Sequence, residues 1–101
     1  MTLTVHQHGR DIHIELPDRF VFSLHSDFRH AYEPYLAPHP GRKFVLDFAK
    51  TSYVDSAALG MLLVMREAVG GDGVPIHFIN TKPPIRKMLE MAHLHEMFTI
   101  T

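Results

Sequence analysis

Short apolar runs alternate with polar segments along this chain, and the spacing within each run predicts its secondary structure. Runs rich in β-branched and aromatic residues, bounded by turn-forming residues, predict strands. These predicted strands lie near Leu3 to His8, Asp11 to Leu16, Phe44 to Phe48 and Pro75 to Ile79, with a further edge strand at Phe98 to Ile100. Because only Gly9 and Arg10 separate the first two strands, we expect an antiparallel hairpin there.

Other segments carry apolar residues at three- and four-residue spacing, which is typical of amphipathic helices. The predicted helices are His25 to Leu36, Ser56 to Val69 and Pro84 to Ala92. Strands joined through helices run mostly parallel, so the pattern predicts an α/β fold with a mixed β-sheet of about four to five strands, covered by about three to four helices. The 101 residues suit a single domain, 1–101.

Composition argues against several classes of function. The chain has ten Lys and Arg, eleven Asp and Glu and a formal net charge of −1, without the basic stripe that nucleic-acid binding needs. It has no cysteine, which excludes disulfides, thiol catalysis and cysteine-based zinc sites. No apolar run approaches the roughly 20 residues that cross a bilayer, and the first residues do not resemble a secretory signal. We therefore expect a cytoplasmic protein with no nucleic-acid partner, membrane partner or cofactor.

The junction between the strand at Phe44 to Phe48 and the next helix holds the main candidate for function. Asp55 and Ser56 stand where the helix begins, and a helix N-terminus favours negative charge because its first N–H groups are unpaired. Ser56 is therefore a candidate phosphate acceptor. The alternative is that Ser56 is an ordinary N-cap, and Asp55 could itself cap the helix or orient the hydroxyl.

These residues and their surroundings resemble a known family. Asp55-Ser56-Ala57-Ala58-Leu59-Gly60 is similar to the D-S-[SA]-[GA]-L-G signature of STAS domains, the single-domain anti-sigma-factor antagonists. Segments Phe20 to Arg29, Phe44 to Phe48 and Asn80 to Leu89 resemble other parts of the same fold. Ala57 and Ala58 replace the Ser-Gly pair common in the family, which leaves one acceptor hydroxyl in the motif.

The resemblance implies a non-enzymatic bacterial regulator. Unphosphorylated, such a protein binds an anti-sigma factor or serine kinase and so releases a sigma factor; phosphorylation of Ser56 ends that binding, and a serine phosphatase restores it. We expect a monomer or weak dimer, with Asp47 supporting the site. The expected partner-binding residues are Asp55, Ser56, Ala57, Leu59, Gly60, Ser23 and Ser52.

Two other classes of function remain open. One is a STAS module that senses a nucleotide or lipid, or regulates a transporter, through a pocket between Ser56 and the turn at Phe20 to Ser26. The other is a hydrolase that uses Ser56 with His25 or His77 and with Asp47, although no G-x-S-x-G elbow surrounds the serine.

The nine histidines also raise the question of a metal site. His6 with His8, and His93 with His95, have a spacing that would align two rings along a strand. Neither pair has an obvious third ligand, so we expect no metal. Titration of these imidazoles near pH ~6.5 is the more direct consequence of their number.

Overall fold

The main sheet is mixed and has helices packed against it. The structure is a computed structural model that describes residues 3–37, 39 and 41–101. Its elements are β1 (Thr4–His8), β2 (Asp11–Glu15), β3 (Arg19–Phe20), α1 (His25–Tyr32), β4 (Phe44–Asp47), β5 (Tyr53–Val54), α2 (Ser56–Val69), β6 (Ile76–Ile79), α3 (Pro83–Met91) and β7 (Thr99–Ile100). Short 3₁₀ turns occur at Phe22–Leu24, Glu33–Tyr35, Gly71–Gly73 and Leu94–Glu96.

The strand order in the main sheet is β1-β2-β4-β6-β7. β1 and β2 pair antiparallel, with His6 opposite His13, whereas β2–β4, β4–β6 and β6–β7 pair parallel. The predicted mixed α/β sheet, its hairpin and its final edge strand are therefore confirmed. The structure adds a second, two-stranded parallel sheet of β3 and β5, which sequence periodicity missed because each strand has only two residues.

The hydrophobic core lies on one face of the main sheet. Alternate residues of the central strands, such as Ile14, Leu46 and Phe78, are 0% exposed. They belong to the same buried cluster as residues from all three helices, including Leu62 of α2 and Leu89 of α3. The helices therefore cover this face, because strand side chains alternate between the two faces of a sheet.

The first helix is shorter than predicted. α1 ends at Tyr32, and the chain continues as the 3₁₀ turn Glu33–Tyr35. The reason is Pro34, which has no N–H to donate to the preceding turn of an α-helix and disfavours helical backbone at the residue before it. The prediction of a continuous helix to Leu36 was wrong because it relied on apolar spacing and overlooked this proline.

Helix α2 follows its prediction at both ends, and α3 starts and stops one residue before its predicted bounds. α2 stops at Gly70, whose φ of 129° lies in a region that favours glycine. The Gly70 N–H donates to the carbonyl oxygens of Arg66 and Glu67. This satisfies carbonyl groups that the end of a helix would otherwise leave unpaired.

Candidate functional site

The start of α2 is fixed by the carboxylate of Asp55, which is the N-cap residue of the helix. Its Oδ1 accepts a hydrogen bond from the Ala58 N–H at 2.7 Å. Its Oδ2 accepts one from the Phe22 N–H at 3.2 Å. One carboxylate therefore caps α2 and ties it to the 3₁₀ turn Phe22–Leu24, which comes from a distant part of the sequence.

Ser56 is the first residue of α2, and its side chain is exposed. Because Asp55 caps the helix, the interpretation of Ser56 as an ordinary N-cap is wrong. The hydroxyl of this exposed residue lies where the unpaired N–H groups of the helix start are concentrated. Chemically, such a hydroxyl can accept a phosphoryl group without disturbing the core.

The loop that leads into this junction is held by polar contacts at the carboxyl ends of the strands. Asp47 Oδ1 accepts hydrogen bonds from the Ala49 N–H at 2.9 Å and from Asn80 Nδ2 at 3.0 Å. Asp47 thus joins the ends of β4 and β6. This geometry suits the supporting role that the sequence suggested for it.

Two further contacts anchor the same loop to the segment before β3. Thr51 is 0% exposed, and its hydroxyl donates to the Pro17 carbonyl oxygen at 2.9 Å. Ser52 is exposed; its hydroxyl donates to Asp18 Oδ1 and its N–H to the Asp18 carbonyl oxygen at 2.8 Å. Thr51 and Asp18 were not predicted from the sequence, because no local pattern marks a loop-to-loop contact.

The remaining predicted partner-binding residues lie around the start of α2 in different environments. Ser23 is exposed in the 3₁₀ turn that Asp55 holds, and Ala57 and Gly60 are exposed on α2. Leu59 is half-buried and packs against the core. Ser23, Ala57 and Gly60 therefore present free surface near Ser56, while much of Leu59 is occupied by the fold itself.

A groove of about 380 Å³ runs between α1 and α2 beside Ser56. Its floor is formed by buried side chains, among them Phe28 and Met61, and its edges by Phe22 and Val64. Phe22 is 54% exposed and Val64 is 62% exposed. Large exposed apolar side chains that flank a groove are characteristic of interaction surfaces. The sequence prediction of a pocket beside the turn at Phe20 to Ser26 included Phe22, whereas Val64 was not predicted.

A substitution at Gly60 tests whether the stability of the fold requires glycine at this position of α2. A Cβ placed on Gly60 would meet nothing within 4 Å. Since glycine in a helix interior costs stability relative to alanine, we expect Gly60→Ala to raise the free energy of unfolding by about 0.5–1 kcal/mol. Urea denaturation measures the change. A lower free energy of unfolding would show that the fold itself requires glycine here.

The proposed hydrolytic residues do not form a hydrogen-bonded relay in the described part of the chain. His77 Nε2 lies 3.0 Å from the Thr101 hydroxyl, and the His25 ring stacks on Phe22 with the centroids 4.9 Å apart. Asp47 is engaged by Ala49 and Asn80. None of these contacts connects a histidine to Ser56.

Several histidines share the face of the main sheet opposite the core. The strand register puts His6, His13 and His77 on this face. The His8 and His13 ring centroids are 4.5 Å apart, and His6 Nε2 lies 2.8 Å from Glu15 Oε2. Among residues 3–37, 39 and 41–101, no three His, Cys, Asp or Glu side chains are arranged to hold a metal ion.

We expect His13 to contribute to a dependence of stability on pH. Partial burial, followed by the nearby His8, holds the pKa of the His13 imidazole below its usual 6.5. The unfolded chain therefore binds this proton more readily, so the contribution of His13 is complete above pH ~6.5 and declines as pH falls toward the folded-state pKa. We expect the urea midpoint to drop between pH ~7 and ~5, and to drop less in His13→Gln. If the urea midpoint falls equally in the unmodified chain and in His13→Gln, the pH dependence of stability comes from groups other than His13.

Comparison with known proteins agrees with this fold. The STAS_2 family model, described as "Mlab, STAS domain", matches residues 3–100. The STAS-domain containing protein PA14_20770 of Pseudomonas aeruginosa (strain UCBPP-PA14) is 40% identical over 93 residues, which cover 92% of this chain and 90% of the relative. The chain therefore belongs to the STAS domain family.

Solved structures show the same architecture at low sequence identity. An anti-sigma-factor antagonist (STAS) domain protein of Planctomyces limnophilus is 16% identical, with a TM-score of 0.82 over 99% of this chain and 89% of that chain. The anti-sigma factor antagonist SpoIIAA in its unphosphorylated form is 14% identical, with a TM-score of 0.75 over 99% of this chain and 87% of that chain. At these identities the likeness establishes the fold, which this chain shares with anti-sigma factor antagonists.

Within the described part of the chain, no helix combines the length and the apolar character that a membrane span requires.

Proposed function

We propose that the chain is a protein-binding regulator switched by phosphorylation of Ser56. Unphosphorylated, it binds an anti-sigma factor or serine kinase in the bacterial cytoplasm and so releases a sigma factor; a serine phosphatase reverses the modification. The chain acts as a single non-enzymatic domain. The observation that carries the proposal is that Ser56 is exposed at the first position of α2 while Asp55 provides the cap.

Relatives support the choice of a phosphorylation switch. SpoIIAA of Bacillus, which shares the fold, has been solved in a phosphorylated as well as an unphosphorylated form. In the present chain the motif offers Ser56 as its one hydroxyl, since Ala57 and Ala58 follow it. A kinase acting on this motif therefore has a single target.

The physical basis of the switch is a local change of charge. A phosphoserine carries about −1.5 to −2 charges and three strong acceptor oxygens. Among the residues described, the first turn of α2 contains no acidic side chain of its own, but Asp55 stands directly before Ser56. The phosphate and Asp55 would together form a strongly negative patch at the helix start. A partner that covers this patch must desolvate it or match it with positive charge.

Capture of the partner from native cell extract tests the proposal. Ser56→Ala is expected to retain the partner and Ser56→Asp to lose it. Thr99→Asp is the matched control, because it adds the same charge at an exposed hydroxyl residue of the edge strand β7, outside the lining of the groove beside Ser56. Equal capture by Ser56→Ala and Ser56→Asp would contradict the switch. Tight binding of a nucleotide or lipid that is insensitive to both variants would instead favour the sensor.

A further inference from the structure

Strand β1 forms one edge of the main sheet, and its outer side has no neighbouring strand among the described residues. β1 pairs with β2 on its inner side over all five residues of Thr4–His8. A strand edge carries a row of N–H and C=O groups that can pair with another strand. The opposite edge is much shorter, since β7 has two residues, Thr99–Ile100. β1 is therefore the edge with the greater capacity to bind a further strand.

The hydrogen bonds of β2 show which backbone groups of β1 point outward. The Ile12 N–H donates at 3.0 Å to the carbonyl oxygen of the residue before β4. Backbone groups alternate in direction along a strand, so those of the next residue, His13, face β1. His6 is opposite His13 in the register, so the backbone groups of His6 face β2. The N–H and C=O groups of its neighbours Val5 and Gln7 therefore point outward.

β1 carries none of the features by which natural sheets protect their edges, which are proline, charged side chains and bulges. The sequence Thr4-Val5-His6-Gln7-His8 contains no proline and no Asp, Glu, Lys or Arg. Its residues pair one to one with those of β2, without a bulge. All of them are exposed except Val5, which is half-buried. This edge is therefore open to strand pairing.

A second copy of the chain complements this edge. Two identical strands that pair antiparallel about a twofold axis present the same groups to each other. An axis at His6 pairs all five residues of β1. It puts the outward groups of Val5 opposite those of Gln7 in the second copy, so that the two residues exchange hydrogen bonds. An axis at Val5 or at Gln7 would pair fewer residues of the strand.

The core face of the sheet has room for the second copy beside this edge. A hollow of about 290 Å³ lies there, lined by Leu3, Val5, Asp27, His30 and Ala31. With the axis at His6, the side chain opposite Val5 is that of Gln7 from the second copy, since opposite residues share a face. Gln7 is neutral and has two amide donors, and the Asp27 carboxylate in the hollow is an acceptor for them. The second copy therefore brings a matching side chain to this space.

The open face of the sheet also tolerates the pairing. The two His6 side chains meet across the axis on this face. Each His6 Nε2 already lies 2.8 Å from Oε2 of its own Glu15. The carboxylate offsets the charge that the ring gains on protonation, so the two rings do not confront each other as uncompensated cations.

We propose that the chain forms a weak symmetric homodimer, in which the β1 strands of two copies pair antiparallel about a twofold axis at His6 and join the two main sheets. A single strand pair is a small interface, in the range of transient contacts below about 1,200 Å². β1 and the hollow share no residue with the groove beside Ser56. The dimer therefore displays two Ser56 sites, and the inference does not depend on the proposed function.

A cysteine crosslink tests both the pairing and the position of the axis. The chain has no cysteine, so a disulfide in a variant with one cysteine must join two copies. Residues that face each other between hydrogen-bonded pairs have Cα atoms about 4.5 Å apart, which is within the range of a disulfide. His6→Cys in a glutathione redox buffer is therefore expected to form a covalent dimer.

Thr4→Cys and His8→Cys are the matched controls. An axis at His6 separates either residue from its own counterpart by about 13 Å along the strand, so neither variant alone is expected to crosslink. It places Thr4 opposite His8 of the second copy, so a mixture of the two variants is expected to crosslink. No dimer of His6→Cys, or equally fast dimers of His6→Cys and His8→Cys, would overturn the inference.

Sedimentation velocity over a series of concentrations measures the dimer without a crosslink. Gln7→Pro removes an outward N–H from each copy, and proline is tolerated at such edge positions. Its dimer dissociation constant is expected to rise by about 10-fold or more. Gln7→Ala is the matched control, because it loses the side chain but keeps the N–H. Equal association of Gln7→Pro and Gln7→Ala, with circular dichroism showing both folded, would contradict pairing through β1.

Capture of the partner separates this inference from the proposed function. Capture that depends on Ser56 is expected to be the same for Gln7→Pro and the unmodified chain. Loss of capture by a folded Gln7→Pro would assign the β1 edge to the partner and overturn the second copy as its occupant. If the unmodified chain shows no capture that depends on Ser56 while His6→Cys still forms its dimer, the switch fails and the dimer stands.

Discussion

Phosphorylation of Ser56 is expected to weaken binding of the partner by about 30-fold to several-thousand-fold, which corresponds to about 2–5 kcal/mol. The reason is that a phosphate buried in an interface loses its hydration and faces groups that were complementary to a neutral hydroxyl. The measurement compares dissociation constants of chains that carry serine or genetically encoded phosphoserine at position 56, by calorimetry with the purified partner.

The same phosphate is expected to change the fold very little. The helix dipole favours an anion at the start of α2 by about 0.3–1 kcal/mol, and the neighbouring Asp55 carboxylate opposes it. Ser56 is exposed, so no core contact is disturbed. Thermal unfolding of the two chains therefore serves as the control. A large fall in melting temperature on phosphorylation would mean that loss of binding reflects unfolding rather than electrostatics.

Replacement of Asp55 by alanine is expected to have the second-largest effect. It removes the acceptor for the Ala58 N–H at 2.7 Å and for the Phe22 N–H at 3.2 Å. Loss of an N-cap costs about 0.5–2 kcal/mol and loss of a further hydrogen bond about 0.5–1.5 kcal/mol, so we expect a total of about 1–3.5 kcal/mol. Urea denaturation measures this loss, and partner binding should weaken because the Phe22 turn is released.

Two variants separate the roles of Asp55. Asp55→Asn keeps a carbonyl oxygen that can cap α2 but loses the second acceptor oxygen, so its stability should fall between that of the unmodified chain and of Asp55→Ala. Asp11→Ala is the control for loss of a carboxylate, because the Asp11 Oδ2 to Lys43 Nζ distance is 4.0 Å and both side chains are partly exposed. If Asp55→Ala proves as stable as Asp11→Ala, the two hydrogen bonds do not stabilise the fold.

The sequence predicts the main sheet well because its signals are local. β-branched runs and turn residues identify each strand of the main sheet, and glycine at position 70 marks the end of α2. The error at α1 also has a local cause, since Pro34 ends the α-helix. The β3–β5 sheet was missed because pairs of residues as short as Arg19–Phe20 and Tyr53–Val54 carry no periodicity.

Only part of the candidate site can be predicted from the sequence, because some of its residues are far apart along the chain. Asp55 and Ser56 are adjacent in sequence and at a strand-to-helix junction, so a motif shows them. The groove combines Phe22 with Val64, which become neighbours only after the chain has folded. The dual role of Asp55 is likewise invisible in the sequence, because its second donor, the Phe22 N–H, comes from a distant turn.

The most direct test is to map phosphate on the protein purified from its native cells. Intact-mass measurement followed by peptide sequencing is predicted to find one phosphate, carried by Ser56, in a fraction of the molecules. Chains that carry phosphate only at other residues, such as the exposed Ser23 or Ser52, would contradict a switch at the start of α2.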